Sequence, residues 1–396
     1  MPTIVFVADD AIHPITSGGR LELHGELRAL RIAGVTVHLI VFHRERISAE
    51  DRGRTSELVE SVTFVPRVDF TRATIRRPLS PFQLSSRALS ATTAAAIVAG
   101  AGGEIDAVLA SHEWTLPTAQ LVSEHAGGAP ILLRSHNDES AYYRSLARHA
   151  RGPKRVYLWA ESVRIRVALA RRSLWRGVRA VAVISSADAG CYARLGVPVT
   201  TVPPTFEVSP APRRSTPLAR RSVGFVGALD SSHTEEGLRW FVREVFAPLH
   251  AQDPTTELIV AGRRASEDLT RQLQDQAGVE FLGEIDDPLV VYAAARVFVN
   301  PIFSGSGVNM KVGPPIALGL PVVSTSVGAR GLDVLSTTMT ITDDAELMRR
   351  AISMLLDDDG LCAHRSMAGA RALAFHQPAV TGALLRDLLS PSGGAA

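Results

Sequence analysis

Much of what quickly assigns a protein is missing from this chain. Its 396 residues hold two cysteines, Cys191 and Cys362, which is too few for a disulfide framework and offers no CxxC spacing for zinc or redox work. A reducing compartment is the expectation. No apolar run nears the ~20 residues needed to cross a bilayer. The interrupted, Ala-rich stretch from Ala88 to Gly103 comes nearest. The first apolar segment, Thr3–Ala8, follows the initiator without a basic leader or a small-residue cleavage site, so a cytoplasmic protein is expected rather than an exported one. Charge of one sign is scarce too, with a net value of +2, and the aromatics are not interleaved with basic residues in an RNA-binding pattern. Nucleic acid is therefore not an expected partner. HExxH, GxSxG, GxxxxGK[ST] and a GxGxxG after the first strand are all absent, as is any His/Cys cluster at metal spacing. The acidic pairs Asp9-Asp10 and Asp286-Asp287 read as caps and solvated loops, and no metal site is expected.

What is present describes an ordinary folded chain, 46% hydrophobic and 21% charged, too long for a single core. Short β-rich apolar runs alternate with helical patterns, the mark of βαβ units around parallel sheets. Strands are expected at Thr3–Ala8, Val35–Phe42, Val62–Val65, Ala107–Ala110, Ile131–Arg134, Ala180–Ile184 and Val199–Val202. A Pro/Ser/Arg-rich stretch, Phe206–Pro217, then breaks the pattern. It resumes at Ser222–Gly227, Glu257–Gly262, Val279–Gly283, Val297–Asn300 and Pro321–Ser324. The fold class expected is α/β, with two doubly wound, Rossmann-like domains. Residues 1–205 form the first domain, 206–220 a linker and 221–375 the second. Residues 376–396 hold a C-terminal helix, a candidate to cross back to the first domain, and a flexible tail.

One region is strongly basic. From Arg144 to Arg179 eleven Lys and Arg residues face a single acid, Glu161. Such an excess can attract an anionic membrane surface at its cytoplasmic face, or a phosphorylated acceptor. It also fits one long solvated helix that turns Val156, Val163, Val167 and Leu174 toward the core.

In doubly wound sheets the ligand sits beyond the carboxyl ends of the strands, so the loops there carry the candidate chemistry. Gly18 and Gly19, just before an amphipathic helix starting near Leu21, let backbone amides approach an anion, and equally suit a turn or cap. His136, Asn137, Asp138 and Glu139 follow a strand and offer groups for sugar hydroxyls, while Asn137 or Asp138 can also cap a helix. His112 and Glu113 occupy a similar position. In the second domain Gly227 leads into a loop holding Asp230 and His233, and Gly262-Arg263-Arg264 puts guanidinium groups at a strand end. The most informative loop runs from Asn300 to Val323. The amides of Ser304, Gly305, Ser306, Gly307 and Val308, the dipole of a short helix and the Lys311 ammonium are expected to converge on one diphosphate.

Gly305-Ser-Gly307, Lys311, Ala317 and Gly319-Leu-Pro-Val-Val323 resemble the C-terminal half of glycosyltransferase family 4. Val223–Gly227, Gly262, Phe281–Gly283, Val327–Ala329 and the Gly18-Gly19 loop fall in the family's order. The resemblance implies a GT-B fold, with a nucleotide-sugar donor of UDP or GDP type bound by the second domain and an acceptor bound mainly by the first, across a cleft. It also implies retention at the anomeric carbon, no metal and no cofactor beyond the donor. By the same likeness Lys311 and Arg263 hold the diphosphate, helped by the amides of Gly18 and Gly19. The loop Ser304–Asn309 binds the sugar or distal phosphate, Gly283 lies near the base, and His136 near the transferring sugar. The acceptor is left open among a lipid carrier, a polysaccharide end and a small secondary metabolite.

The chain departs from the family at the ribose. The Glu that grips its hydroxyls falls at Pro314, and a companion acid at Ser306; neither is a carboxylate. The Lys/Arg pair of the first C-terminal loop is also missing from Asp230–His233. Either another group holds the ribose, the donor is unusual, or the domain binds without transfer. A degenerate binding module is thus the alternative to an active transferase, and a GT-B epimerase or phosphorylase a further one. Pro314 itself suits the first turn of a helix, where its missing N–H costs little.

Overall fold

A computed structural model describes residues 1–70, 72–73, 79–102, 104–206, 220–305 and 307–390. Nearly all of the expected linker, Ser306 and the tail from residue 391 lie outside the described residues. The chain divides into two compact units, Met1–Thr205 with His376–Ala396, and Phe206–Phe375.

The first unit is built on seven parallel strands: β1 (Thr3–Ala8), β2 (Thr36–His43), β3 (Ser61–Pro66), β4 (Ala107–Ser111), β5 (Ile131–Ser135), β6 (Val178–Val183) and β7 (Val199–Thr201). Their order is β3-β2-β1-β4-β5-β6-β7. Helices cover both faces, so the central strands are apolar almost throughout rather than alternating with polar residues. In β1 the side chains of Ile4 and Phe6 join one core, and those of Val5 and Val7 the other. The second unit holds six parallel strands: β8 (Ser222–Ala228), β9 (Glu257–Arg263), β10 (Val279–Gly283), β11 (Val297–Asn300), β12 (Val322–Ser324) and β13 (Thr340–Ile341). Their order is β10-β9-β8-β11-β12-β13. Both units are doubly wound, as the alternation of runs requires.

The helices that bear on function are α1 (Gly18–Ile32), α2 (Glu139–His149), α3 (Gly152–Leu169), α4 (Ser232–Trp240), α5 (Gly313–Ala317) and α6 (Pro378–Leu389). Helix α1 turns Leu23, Leu27 and Leu30 into the first core, where Leu385 and Leu389 of α6 join them. The two helices approach so closely that a Cβ on Gly382 would stand 2.1 Å from the Ala29 carbonyl oxygen. The last helix therefore belongs to the first unit's core.

The basic region is not the single helix expected. It breaks after α2, where Gly152 takes a left-handed φ of 59° that ordinary residues adopt at a cost, and restarts as α3. Its phase also differs. Val156 and Val167 face solvent, at 67% and 50% exposure, while Leu158, Glu161, Ser162, Ile165 and Ala168 face inward; of the four residues expected in the core only Leu174 is buried. The cause is the acid. Glu161 is wholly buried because it accepts the Phe82 amide at 2.5 Å and pairs with Arg164 at 3.3 Å. A polar residue on the inner face hid the true periodicity.

Candidate functional site

Because the six strands of the second unit run parallel, their carboxyl ends share one edge, and Gly227, Arg263, Gly283 and Asn300 all lie there. The Phe225 ring joins two of the candidate segments. A Cβ on Gly227 would stand 3.1 Å from it, and Lys311 Nζ lies 5.2 Å from its centroid. Helix α4 packs on the start of the Gly/Ser loop, with Gly237 pressed against the Pro301 carbonyl and Trp240 meeting Phe303 edge-on at 4.6 Å. The loop's root is pinned from β12. Asn300 Nδ2 donates to the Gly328 carbonyl at 2.8 Å, and Ser324 Oγ donates to the Asn300 carbonyl at 3.2 Å.

Beyond that root the backbone opens. Gly305 and Gly307 take φ values of 134° and 82°, and the amides of Ser304, Gly305, Gly307, Val308 and Asn309 donate no hydrogen bond among the described residues. Unpaired amides at a strand end are ready donors for an anion. The 3-10 turn Met310–Val312 then presents Lys311. No acid partners Lys311 among the described residues, and burial pushes its ammonium down to about 7. Arg263 resembles it, with Nε buried and unpartnered among the described residues. Arg264 is by contrast tied to Asp230 at 3.3 Å. Gly283 carries a φ of 68° and faces open space, with nothing within 4 Å of a would-be Cβ.

The expected helix dipole is weaker than the sequence suggested. Helix α5 has five residues, so its macrodipole is slight and Lys311 carries the positive charge. Pro314 sits in its first turn, as its chemistry favours. His233 contacts Ser231 Oγ at 2.7 Å, and Asp287 Oδ1 accepts the Leu289 amide, a capping role.

In the first unit Gly18 and Gly19 open the 15-residue α1, behind a Ser17 cap whose Oγ accepts the Arg20 amide at 3.3 Å. A Cβ on Gly19 would meet nothing within 4 Å. His136 follows β5, with Nε2 3.3 Å from Glu26 Oε1 and 3.5 Å from Ser111 Oγ, and its ring lies edge-on to His112 at 5.5 Å. Asp138 caps α2 by accepting the Ala141 amide at 2.9 Å. Glu139 turns to His112, whose Nε2 lies 3.0 Å from it while Nδ1 lies 2.7 Å from Glu113. Burial works against charge on His112, but Glu139 and Glu113 outweigh it and raise the imidazole well above its ordinary value. Tyr192 donates to Glu113 from the other side.

Sequence reasoning missed the groups behind His136. Arg134 is fully buried, donating to Glu22 and Glu26 at 2.6 Å each and to the Val202 carbonyl at 2.5 Å. Burial raises Glu22 to about 7 against the pull of Arg134. Asp9, expected in a cap or a solvated loop, instead pairs with the buried Arg87 at 3.2 Å; burial opposes its charge, yet Arg87, His112 and His136 hold its carboxyl below the usual range. Among the described residues no three His, Cys, Asp or Glu side chains converge as a metal site, and no helix is long and apolar enough to cross a membrane.

Two doubly wound parallel sheets, each with candidate groups at its carboxyl edge, define the GT-B fold. Residues 220–358, most of the second unit, match the family model of the glycosyl transferases group 1. An uncharacterized 44.6 kDa protein in the cps region of Klebsiella pneumoniae is 24% identical over 346 residues, 84% of each chain. Solved structures extend the likeness over nearly the whole chain. HepE of Anabaena, solved with UDP and glucose, superposes with a TM-score of 0.63 at 17% identity, covering 98% of this chain and 99% of its own. The UDP-forming α,α-trehalose-phosphate synthase of Burkholderia xenovorans, solved with glucose 6-phosphate, gives 0.62 at 13% identity over 98% and 100%.

Proposed function

We propose that the protein is a glycosyltransferase that takes a sugar from a nucleoside diphosphate donor, of UDP type before GDP, held by the second unit. The observation that carries this reading is Lys311, a half-buried lysine with no acid partner among the described residues, beside a loop of unpaired amides. A diphosphate answers both at once. It supplies the negative charge that keeps the ammonium ionised and the acceptors that the amides of Ser304, Gly305, Gly307, Val308 and Asn309 lack among the described residues. Arg263 adds a second cation, and the open surface at Gly283 suits the base. The glycosyl transferases group 1 match supports transfer chemistry, and the UDP in HepE favours uridine.

In the reaction the bond from the anomeric carbon to the diphosphate oxygen breaks and its electron pair leaves with the diphosphate. The acceptor hydroxyl oxygen forms the new bond, and its proton passes to the departing phosphate. Lys311 and Arg263 stabilise the charge that develops on that leaving group. The configuration is retained and no metal or further cofactor is used, as family 4 resemblance implies. The first unit binds the acceptor; its His136, held by Glu26, is the group that the resemblance puts near the transferring sugar, and the amides of Gly18 and Gly19 at the start of α1 suit a phosphate oxygen. The acceptor is a hydroxyl on a lipid carrier, a polysaccharide end or a small metabolite.

A thermal-shift series with UDP, GDP, ADP, TDP and CMP tests the donor site, because a ligand bound only by the native state raises apparent stability. A shift with UDP and none with CMP is expected; no shift with any nucleotide overturns the reading. Pro314 favours one competitor, a protein that binds without turnover, since proline offers no acceptor to a ribose hydroxyl. Assaying UDP release from UDP-glucose with and without added acceptors separates transfer from binding alone, and product analysis separates it from epimerisation or phosphorolysis.

A further inference from the structure

Helix α3 is apolar on two opposite faces. Leu158, Ile165 and Ala168 pack inward, while Val156, Trp159 and Val167 are exposed on the opposite side, with the half-buried Val163 between them at the spacing of one helical stripe. Val156 is 67% exposed, Trp159 62% and Val167 50%. An ordinary solvated helix would not keep such a row.

The charge around the stripe has one sign. Arg155 and Arg166 flank it, and Arg148, Arg151, Lys154 and Arg171 lie at its ends, all exposed. None of the six has an acid partner among the described residues, and the only acid between residues 144 and 179, Glu161, is wholly buried. A protein partner would have to match an apolar row with acids along its whole length. A bilayer with anionic headgroups does so everywhere on its surface. Tryptophan further suits the boundary between headgroup and acyl chain.

We propose that α3 docks on an anionic membrane surface, lying in the plane of the headgroups with Val156, Trp159, Val163 and Val167 turned into the acyl boundary and the flanking arginines on lipid phosphates. The contact is peripheral and reversible. It does not depend on the donor site, and a transferase and a pure binding protein would dock alike.

The test is co-sedimentation of the full chain with vesicles of phosphatidylcholine alone and of phosphatidylcholine with phosphatidylglycerol. Binding only to the anionic vesicles is expected. Trp159 fluorescence should shift to the blue and be quenched by brominated acyl chains, a signal that Trp159→Phe removes. The double variant Arg155→Glu/Arg166→Glu should weaken partitioning by at least roughly fivefold per cation lost, and Val156→Ser/Val167→Ser should abolish the quenching. All five substituted side chains are exposed, so unchanged melting temperatures are expected and certify the fold. Absence of binding to anionic vesicles overturns the proposal, as does binding that both double variants leave intact. Self-association that Val156→Ser/Val167→Ser dissolves would overturn it too, by assigning the face to a second copy of the chain.

Discussion

The Nζ of Lys311 stands 5.2 Å from the centre of the Phe225 ring, facing π-electrons rather than a carboxylate. A ring face gives a buried ammonium partial compensation and leaves room for a stronger partner. Burial lowers this group to about 7, so near neutrality much of it is uncharged until an anion arrives. Nucleotide binding should then take up a proton. As pH rises above about 7, UDP affinity should fall by up to about tenfold per unit, since its phosphates are already ionised there. Calorimetry in buffers of different ionisation enthalpy checks this. A flat profile between pH 7 and 9 would show that Lys311 does not meet the diphosphate.

His112 carries the opposite shift, and it bears on stability. Its value is raised by Glu139 and Glu113 despite burial, so the stability it contributes is fully present below its unfolded value of 6.5 and is lost as pH rises through the folded value. Nitrogen NMR of the imidazole should find its titration midpoint well above 6.5. Glu139→Gln should lower the titration midpoint and narrow the alkaline stability range. A neutral ring at pH 7 in the wild type would refute the assignment.

Two glycines should respond in opposite ways to the same substitution. A Cβ on Gly237 would stand 1.8 Å from the Pro301 carbonyl oxygen, and backbone cannot rotate aside as a side chain can. Gly237→Ala should cost about 1–3 kcal/mol in denaturant titration and loosen the donor loop that Pro301 begins. Gly19→Ala meets nothing, and should hold or gain stability by up to ~1 kcal/mol through helix propensity. Any loss of activity in that variant would then report close approach of a ligand to α1.

Removing Glu26 should be expensive. Arg134 is fully buried, and Glu26→Ala leaves its guanidinium with one acid in place of two, at a cost of ~3–5 kcal/mol in chemical denaturation. Glu26→Gln should recover part of that stability by keeping an acceptor. If it nonetheless lowers turnover as much as alanine does, the carboxylate's contact with His136 matters beyond support of the fold.

The sheets were legible because strands buried on both faces write continuous apolar runs, as in β1, β2 and β9. Strand β13, two residues long, carries too little sequence to be read. The donor edge was legible for a local reason. Gly305, Gly307 and Lys311 are neighbours in sequence, so their convergence needs no knowledge of the fold. The constellation around His136 has no such signature. Arg134 meets Glu22 and Glu26 across 112 and 108 positions, and no spacing rule anticipates that. Helix α3 was misphased because Glu161 and Ser162 interrupt its inner face while Val156, Trp159 and Val167 decorate the outer one.

The most direct measurement is a calorimetric titration of UDP into the wild type and Lys311→Ala at pH 7, with melting temperatures of both. The account requires wild-type binding weakened roughly ten- to a hundredfold in the variant, whose fold should be as stable, since Lys311 is half-buried and no acid pairs with it among the described residues. Equal affinity in the two proteins, or no UDP binding by the wild type, would contradict the donor site at its centre.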